Sequence, residues 1–150
     1  LAGDWFDLAK LAQRVAASYP IGQRQPLTVV APDTVLAYAH RDSIEQVVVA
    51  LLNNAEKYGE ASPITLAVAK TADGAQLSVS DLGPGVADAD KAKVFDRFYR
   101  VDASREKQIG GTGLGLAIAK RLIDLNHGAI NVVDNHPTGA KFVITLPTND

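Results

Sequence analysis

Between Arg41 and Tyr58, the residues Ile44, Val47, Val48, Leu51, Leu52 and Ala55 fall at the i, i+3, i+4, i+7, i+8 and i+11 positions of a helix. This stretch constrains the chain more than any other. An apolar stripe of that length has to be buried against a second apolar layer. Asp42 and Ser43 stand where a cap belongs, and Gly59 where the helix should stop. The rest of the chain supplies the second layer as short strands at 27–30, 35–39, 64–69, 77–80, 130–133 and 142–146. Asp73-Gly74 turns a hairpin between the third and fourth, and Pro137-Thr138-Gly139 joins the last two. Further helices are predicted over 4–18, with Asp4 or Asp7 as cap, over 87–99 and over 114–125. Helices and strands therefore alternate irregularly. That argues for a mixed sheet covered by helices on one face, and against a doubly wound parallel sheet.

Composition narrows the function classes. A chain of 150 residues fits one domain with a real core. Its net charge of −2 provides no basic field for nucleic acid or acidic lipid. No apolar run is long enough to span a bilayer, and no basic-then-apolar leader is visible. With no cysteine, disulfides and thiolate metal sites are excluded. The chain begins at Leu1 and has no methionine, so it reads as a fragment of something longer.

Four stretches carry chemistry. In Gly110-Gly111-Thr112-Gly113-Leu114-Gly115-Leu116, glycines precede a helix. Backbone N–H groups and the positive end of a helix dipole suit phosphate there, although the same residues also read as a simple turn. On the long helix, Ala50, Asn54, Lys57 and Tyr58 share a strip beside the apolar stripe. Asp81-Leu82-Gly83-Pro84-Gly85 is a strand ending in a carboxylate and a sharp loop. In Phe95-Asp96-Arg97-Phe98-Tyr99-Arg100, Phe95 and Phe98 join Val94 on one apolar side. The following 100–108 segment is polar and reads as a loop or lid. Taken singly, each has an ordinary structural reading: a turn-forming Asp, a helix-surface Asn, a solvated Lys, a packed Tyr.

In this order and spacing the four resemble the N, G1, F and G2 boxes of sensor histidine kinases. Those belong to the wider ATP-binding family that includes gyrase, Hsp90 and MutL. The resemblance runs from the Asn54 helix to Leu146-Pro147. It implies a Bergerat fold: an α/β (α+β) two-layer sandwich with a mixed, largely antiparallel sheet, about three helices on one face and an ATP lid over about 86–112. It also implies that Asp81 accepts from the exocyclic amine of adenine, with Gly83, Gly85 and Val86 close to the base. Asn54 is then a Mg²⁺ ligand, its amide oxygen being a hard donor suited to that ion. Lys57 and Arg100 reach phosphate, Tyr58 stacks on adenine, and Phe95 and Phe98 anchor the lid. Gly111, Thr112, Gly113, Leu114, Gly115 and Leu116 form the lid's C-terminal hinge and phosphate cradle. Asn54, Lys57 and Arg100 are the expected catalytic residues, with ATP and Mg²⁺ as cofactors.

By the same resemblance, residues 1–150 are a single catalytic domain, and the phosphoacceptor and dimerisation domain lies upstream. The expected partners are that domain and, through it, a response regulator, with no nucleic acid. The fragment is expected to be a monomer, and its parent a homodimer anchored in the membrane with this domain in the cytoplasm. None of His40, His127 and His136 sits in an acceptor-like motif. The sequence departs from the family pattern at Ala50, where hydrolytic relatives carry a water-activating glutamate and most histidine kinases an asparagine. His40 replaces a common aspartate, Ala140 a hydroxyl residue that helps hold the base, and Ala129 a frequent glycine.

Overall fold

The computed structural model describes residues 2–19, 25–97, 99 and 115–149. Seven strands and three α-helices are present among them. Strand β1 (Asp4–Asp7) leads into helix α1 (Leu8–Ser18), followed by β2 (Leu27–Val30) and β3 (Leu36–Ala39). The long helix α2 (Arg41–Tyr58) comes next, then β4 (Ile64–Thr71) and β5 (Gly74–Ser80). After a 3₁₀ turn at Asp88–Asp90 come α3 (Gly115–Leu125), β6 (Ala129–Asp134) and β7 (Ala140–Leu146).

The main sheet has the order β2-β4-β5-β7-β6. Only β2 and β4 pair in parallel, and the other neighbours are antiparallel. The parallel pair is possible because β3 and α2 lie between the two strands and provide the long crossover that such pairing requires. Register puts one apolar set on one face: Leu66 opposite Val79, Leu77 opposite Ile144, and Val132 opposite Phe142. These residues are all buried. Alternate positions such as Thr65, Gln76, Lys141 and Thr145 stay partly exposed, as expected for a sheet covered on one side. The helices form the second layer, with α2 packed between α1 and α3.

The predicted stripe of α2 is the middle of the core: Ile44, Val47, Val48, Leu51 and Leu52 have no exposed surface. Leu51→Ala is expected to lower unfolding free energy by about 2–5 kcal/mol, read as a lower midpoint in urea with an unchanged slope. An unchanged midpoint would contradict this packing.

Three expectations need correction. Residues 4–7 are a strand and not the first turn of a helix. Asp4–Asp7 pairs antiparallel with Leu36–Ala39 in a separate two-stranded sheet, where Trp5 meets Tyr38 edge to face at 5.3 Å. The pairing satisfies backbone groups that a frayed helix end would leave to water. Helix α1 then starts at Leu8, and Asp7 is its cap, accepting from the Ala9 N–H. The cap of α2 is His40 and not Asp42 or Ser43: its Nδ1 accepts from the Ser43 N–H and lies 2.7 Å from the Ser43 hydroxyl. The 87–99 span has no α-helix among its described residues. Most of its bonds run from i to i−3, as from Lys93 to Asp90 and Asp96 to Lys93. Its one apolar cluster around Val94 and Phe95 is too short to offset helix nucleation. Lys91 instead ties the segment outward, to Asp88 and, at 2.8 Å, to Asp134 of β6.

Candidate functional site

Asp81 follows the last residue of β5 and is 5% exposed. Its N–H donates to the Ala140 carbonyl on β7, at 3.0 Å. Its Oδ1 accepts from the Gly83 N–H at 2.9 Å and from the Ala140 N–H at 3.4 Å. Oδ2 has no hydrogen bond among the described residues. Burial pushes this carboxyl above its ordinary value, and the two backbone donors pull against that rise. The result is a fixed, desolvated acceptor, one of whose oxygens is unengaged among the described residues.

Glycines bring three elements together around it. Gly59, which caps α2, lies so close to Gly83 that a Cβ on Gly83 would be 2.9 Å from the Gly59 Cα. Gly85 has φ +78°, and a Cβ there would sit 2.9 Å from the Gly139 carbonyl oxygen. Gly139, in the β6–β7 turn, has φ +102° and faces the Asp81 carbonyl. The C-terminal end of α2, the loop after β5 and the β6–β7 turn thus meet backbone to backbone. Three side chains outside the predicted motifs bind this loop: the Ser62 hydroxyl accepts from the Leu82 N–H at 3.0 Å, Asn135 Nδ2 donates to the Asp81 carbonyl at 2.7 Å, and the Thr138 hydroxyl donates to the Gly83 carbonyl at 3.0 Å. Pro137-Thr138-Gly139 was legible in the sequence only as a turn. Its partners lie more than fifty residues away in the chain, so local pattern carried no signal for them.

Asn54, Lys57 and Tyr58 are each partly exposed on the last turns of α2, the end that meets the Asp81 loop. The Asn54 amide makes no hydrogen bond among the described residues. Ala50 lies one turn back on the same strip and packs against the core. Both glutamates of α2 are on its other side, facing α1. Glu45 pairs with Arg14 at 2.8 Å, and Glu56 lies 3.4 Å from the Tyr19 hydroxyl, which also donates to Asn53 at 3.0 Å. Burial first, then the Glu56 charge and hydrogen bond, push the Tyr19 hydroxyl up to about 12. A groove of about 570 Å³ runs between α1 and α2 on this side, and none of the predicted site residues line it.

Helix α3 is pinned to α2 by Asn126, a buried side chain whose Oδ1 accepts from the His40 N–H and whose Nδ2 donates to the Leu122 carbonyl, both at 2.7 Å. The end of α3 is therefore fixed at the start of α2. The two helices pack against each other, and Gly115 and Leu116 begin α3. Gly115 is open to solvent, and Leu116 packs against the core. Val86 is also partly buried, and Phe95 meets Phe142 edge to face at 6.0 Å, which fixes the segment beyond the Asp81 loop onto β7. Phe98, Arg100, Gly111, Thr112, Gly113 and Leu114 lie outside the described residues. Ala140 is buried in the core, and Ala129 begins β6. No group of three or more His, Cys, Asp or Glu side chains suited to a metal occurs among the described residues. Mg²⁺ does not need one, because it keeps waters and takes few protein ligands when it binds with a phosphate.

Comparison with known proteins places this geometry. The profile of the family described as histidine kinase-, DNA gyrase B- and HSP90-like ATPase matches residues 39–150. The sensor protein CiaH of Streptococcus pneumoniae is 42% identical over 104 residues, which is 69% of this chain and 23% of that protein. The sensor histidine kinase WalK of Bacillus subtilis is 33% identical over 150 residues, covering 96% of this chain and 24% of that one. The chain thus spans about a quarter of the length of these curated relatives. Among solved structures, full-length ShkA in complex with AMPPNP superposes with a TM-score of 0.80 at 29% identity, over 99% of this chain and 31% of that one. The mixed sheet with three helices on one face is the fold of these kinases' ATP-binding domains, and the chain belongs to the histidine kinase-, DNA gyrase B- and HSP90-like ATPase family, among its sensor histidine kinases.

Proposed function

We propose that this chain is the catalytic domain of a sensor histidine kinase, which binds Mg·ATP and donates the γ-phosphate to a histidine on a separate dimerisation domain. The observation that carries this reading is Asp81, a buried carboxylate with one oxygen anchored by two N–H groups and the other without a hydrogen bond among the described residues, at the junction with the Asn54 end of α2. In this reading the unengaged oxygen accepts from the exocyclic amine of adenine, Gly83 and Gly85 let the backbone approach the base, Val86 flanks it, and Tyr58 stacks on it. Lys57, Arg100 and the residues from Gly111 to Leu116 hold the phosphates. Phe95 and Phe98 seat a lid over about 86–112. Asn54 would hold Mg²⁺, which supplies charge neutralisation at phosphate oxygens when bound. The protein's own contribution is positioning and electrostatic complementarity to the transferring phosphoryl group.

The single domain of residues 1–150 then acts on an acceptor domain that precedes it in a longer, membrane-anchored homodimer, with this part in the cytoplasm. A response regulator takes the phosphate onward from that acceptor. No helix of the described residues is long and apolar enough to cross a membrane.

Ala50 motivates a second reading, a nucleotide-binding module that does not transfer phosphate. One experiment separates the two. The chain is mixed with Mg²⁺, γ-phosphate-labelled ATP and a dimerisation domain from the parent protein or a close relative. Acid-labile, base-stable label on the acceptor histidine supports the kinase. ATP binding without label supports the module. Steady hydrolysis by the chain alone would favour a gyrase-like ATPase, which the placement of Glu45 and Glu56 on the α1 side argues against, since a general base has to reach the attacking water.

A further inference from the structure

The Asp81 loop is held from outside by side chains that belong to none of the four motifs. Over three successive residues, Ser62 takes the Leu82 N–H, Asn135 binds the Asp81 carbonyl and Thr138 binds the Gly83 carbonyl. Two of the three come from the single β6–β7 turn, whose Gly139 also presses on the Asp81 carbonyl. With Oδ1 taken by the Gly83 and Ala140 N–H groups, both the backbone and the carboxylate of this loop have one available aim.

That aim decides which base is accepted. A carboxylate does not by itself distinguish purines. Adenine offers the N6 amine as a donor, whereas guanine offers the acceptor O6 at that edge and its N2 amine on the other side. A rigid acceptor aimed at N6 meets O6 of guanine acceptor to acceptor. A loop free to shift by an ångström or so can turn the same carboxylate toward the donors of guanine. We propose that Asn135 and Thr138, with Ser62, are positioning residues that fix the aim of Asp81 and thereby set selectivity for adenine over guanine nucleotides. The inference rests on the nucleotide-binding reading above.

The test measures affinity of the purified chain for Mg·ATP and for Mg·GTP by calorimetry, alongside thermal unfolding. Thr138→Val keeps the shape and removes the donor. Asn135→Leu does the same on the other carbonyl. The double variant is expected to lose about tenfold in the ratio of ATP to GTP affinity, as expected when a polar anchor is removed from a buried site. Thr138→Ser, which restores the hydroxyl, is expected to keep the wild-type ratio. If the double variant does not fold, the near-isosteric Thr138→Val alone decides, with a smaller fall in the same ratio. A merely structural role weakens both nucleotides equally, so an unchanged ratio overturns the inference while leaving the nucleotide site intact. A wild-type chain that binds neither nucleotide overturns the functional reading itself and this inference with it.

Discussion

Asp81→Asn is expected to weaken binding of a fluorescent ATP analogue by about a hundredfold or more while leaving the fold at least as stable as before. The loss follows from replacing a charged acceptor with an amide. A hydrogen bond to a charged group contributes about 1.5–3 kcal/mol, and an amide that keeps its oxygen on the Gly83 and Ala140 N–H groups turns its NH₂ toward the amine of the base, donor against donor. The stability half has a separate cause. Burial raises this carboxyl above its ordinary value of 3.8. Between that value and the raised one, the folded chain keeps a proton that the unfolded chain releases, so stability falls as pH rises through the window. Above the window the charge remains a cost of folding, and the neutral amide removes it. Thermal unfolding at pH 7 should therefore give Asp81→Asn a midpoint equal to or above wild type. The difference should close as pH is lowered to about the ordinary carboxylate range. Tight binding by the folded variant would end the assignment of Asp81 to base recognition, and a clear drop in its midpoint at pH 7 would contradict the burial account.

The second large effect is steric. Gly139 has φ +102°, a region side-chain-bearing residues rarely enter, and a Cβ there would lie 2.0 Å from the Asp81 carbonyl oxygen. Gly139→Ala is expected to destabilise the fold by about 3 kcal/mol or more, the sum of backbone strain and overpacking. It should also weaken ATP binding, because the displaced group is the backbone of Asp81 itself. Equilibrium unfolding in urea measures the first effect and nucleotide titration below the transition the second. Gly115→Ala is the contrast: a Cβ there meets nothing within 4 Å, and alanine in a first helical turn is neutral or stabilising by up to about 1 kcal/mol. If Gly139→Ala behaved like Gly115→Ala, the packing of the β6–β7 turn on the Asp81 loop would be wrong.

Both sets of residues bear on how much of this protein could be read from its chain. The limits of α2 at Arg41 and Tyr58 match the periodicity, and Gly59 ends it as expected. The strands fall where apolar residues alternate, though β4, β5, β6 and β7 each extend beyond the predicted span because cross-strand hydrogen bonds continue past the apolar residues. Of the four motifs, Asn54 to Tyr58 and Asp81 to Gly85 lie wholly within the described residues, and Gly59, which follows the first, meets Gly83 of the second.

What local pattern missed was decided by contacts distant in sequence. Residues 4–7 look helical beside the apolar spacing of α1, yet Asp4 pairs with Ala39 and Asp7 with Leu36, and that ladder outweighs a weak helical preference. His40, expected to be structural or exposed, caps α2 through the nearby Ser43 N–H, while its own N–H is taken by the distant Asn126. The clamps on the Asp81 loop come from residues 62, 135 and 138, which carry no motif. The sequence by itself determined most of the helix and strand segments, the apolar faces of α2 and the main strands, and the residue types suited to a purine nucleotide, because those depend on spacing within one element. Only the tertiary structure decided the strand order, the first strand, and which side chains hold the Asp81 carboxylate in place, because hydrogen bonds and close glycine contacts form between elements that only folding brings together.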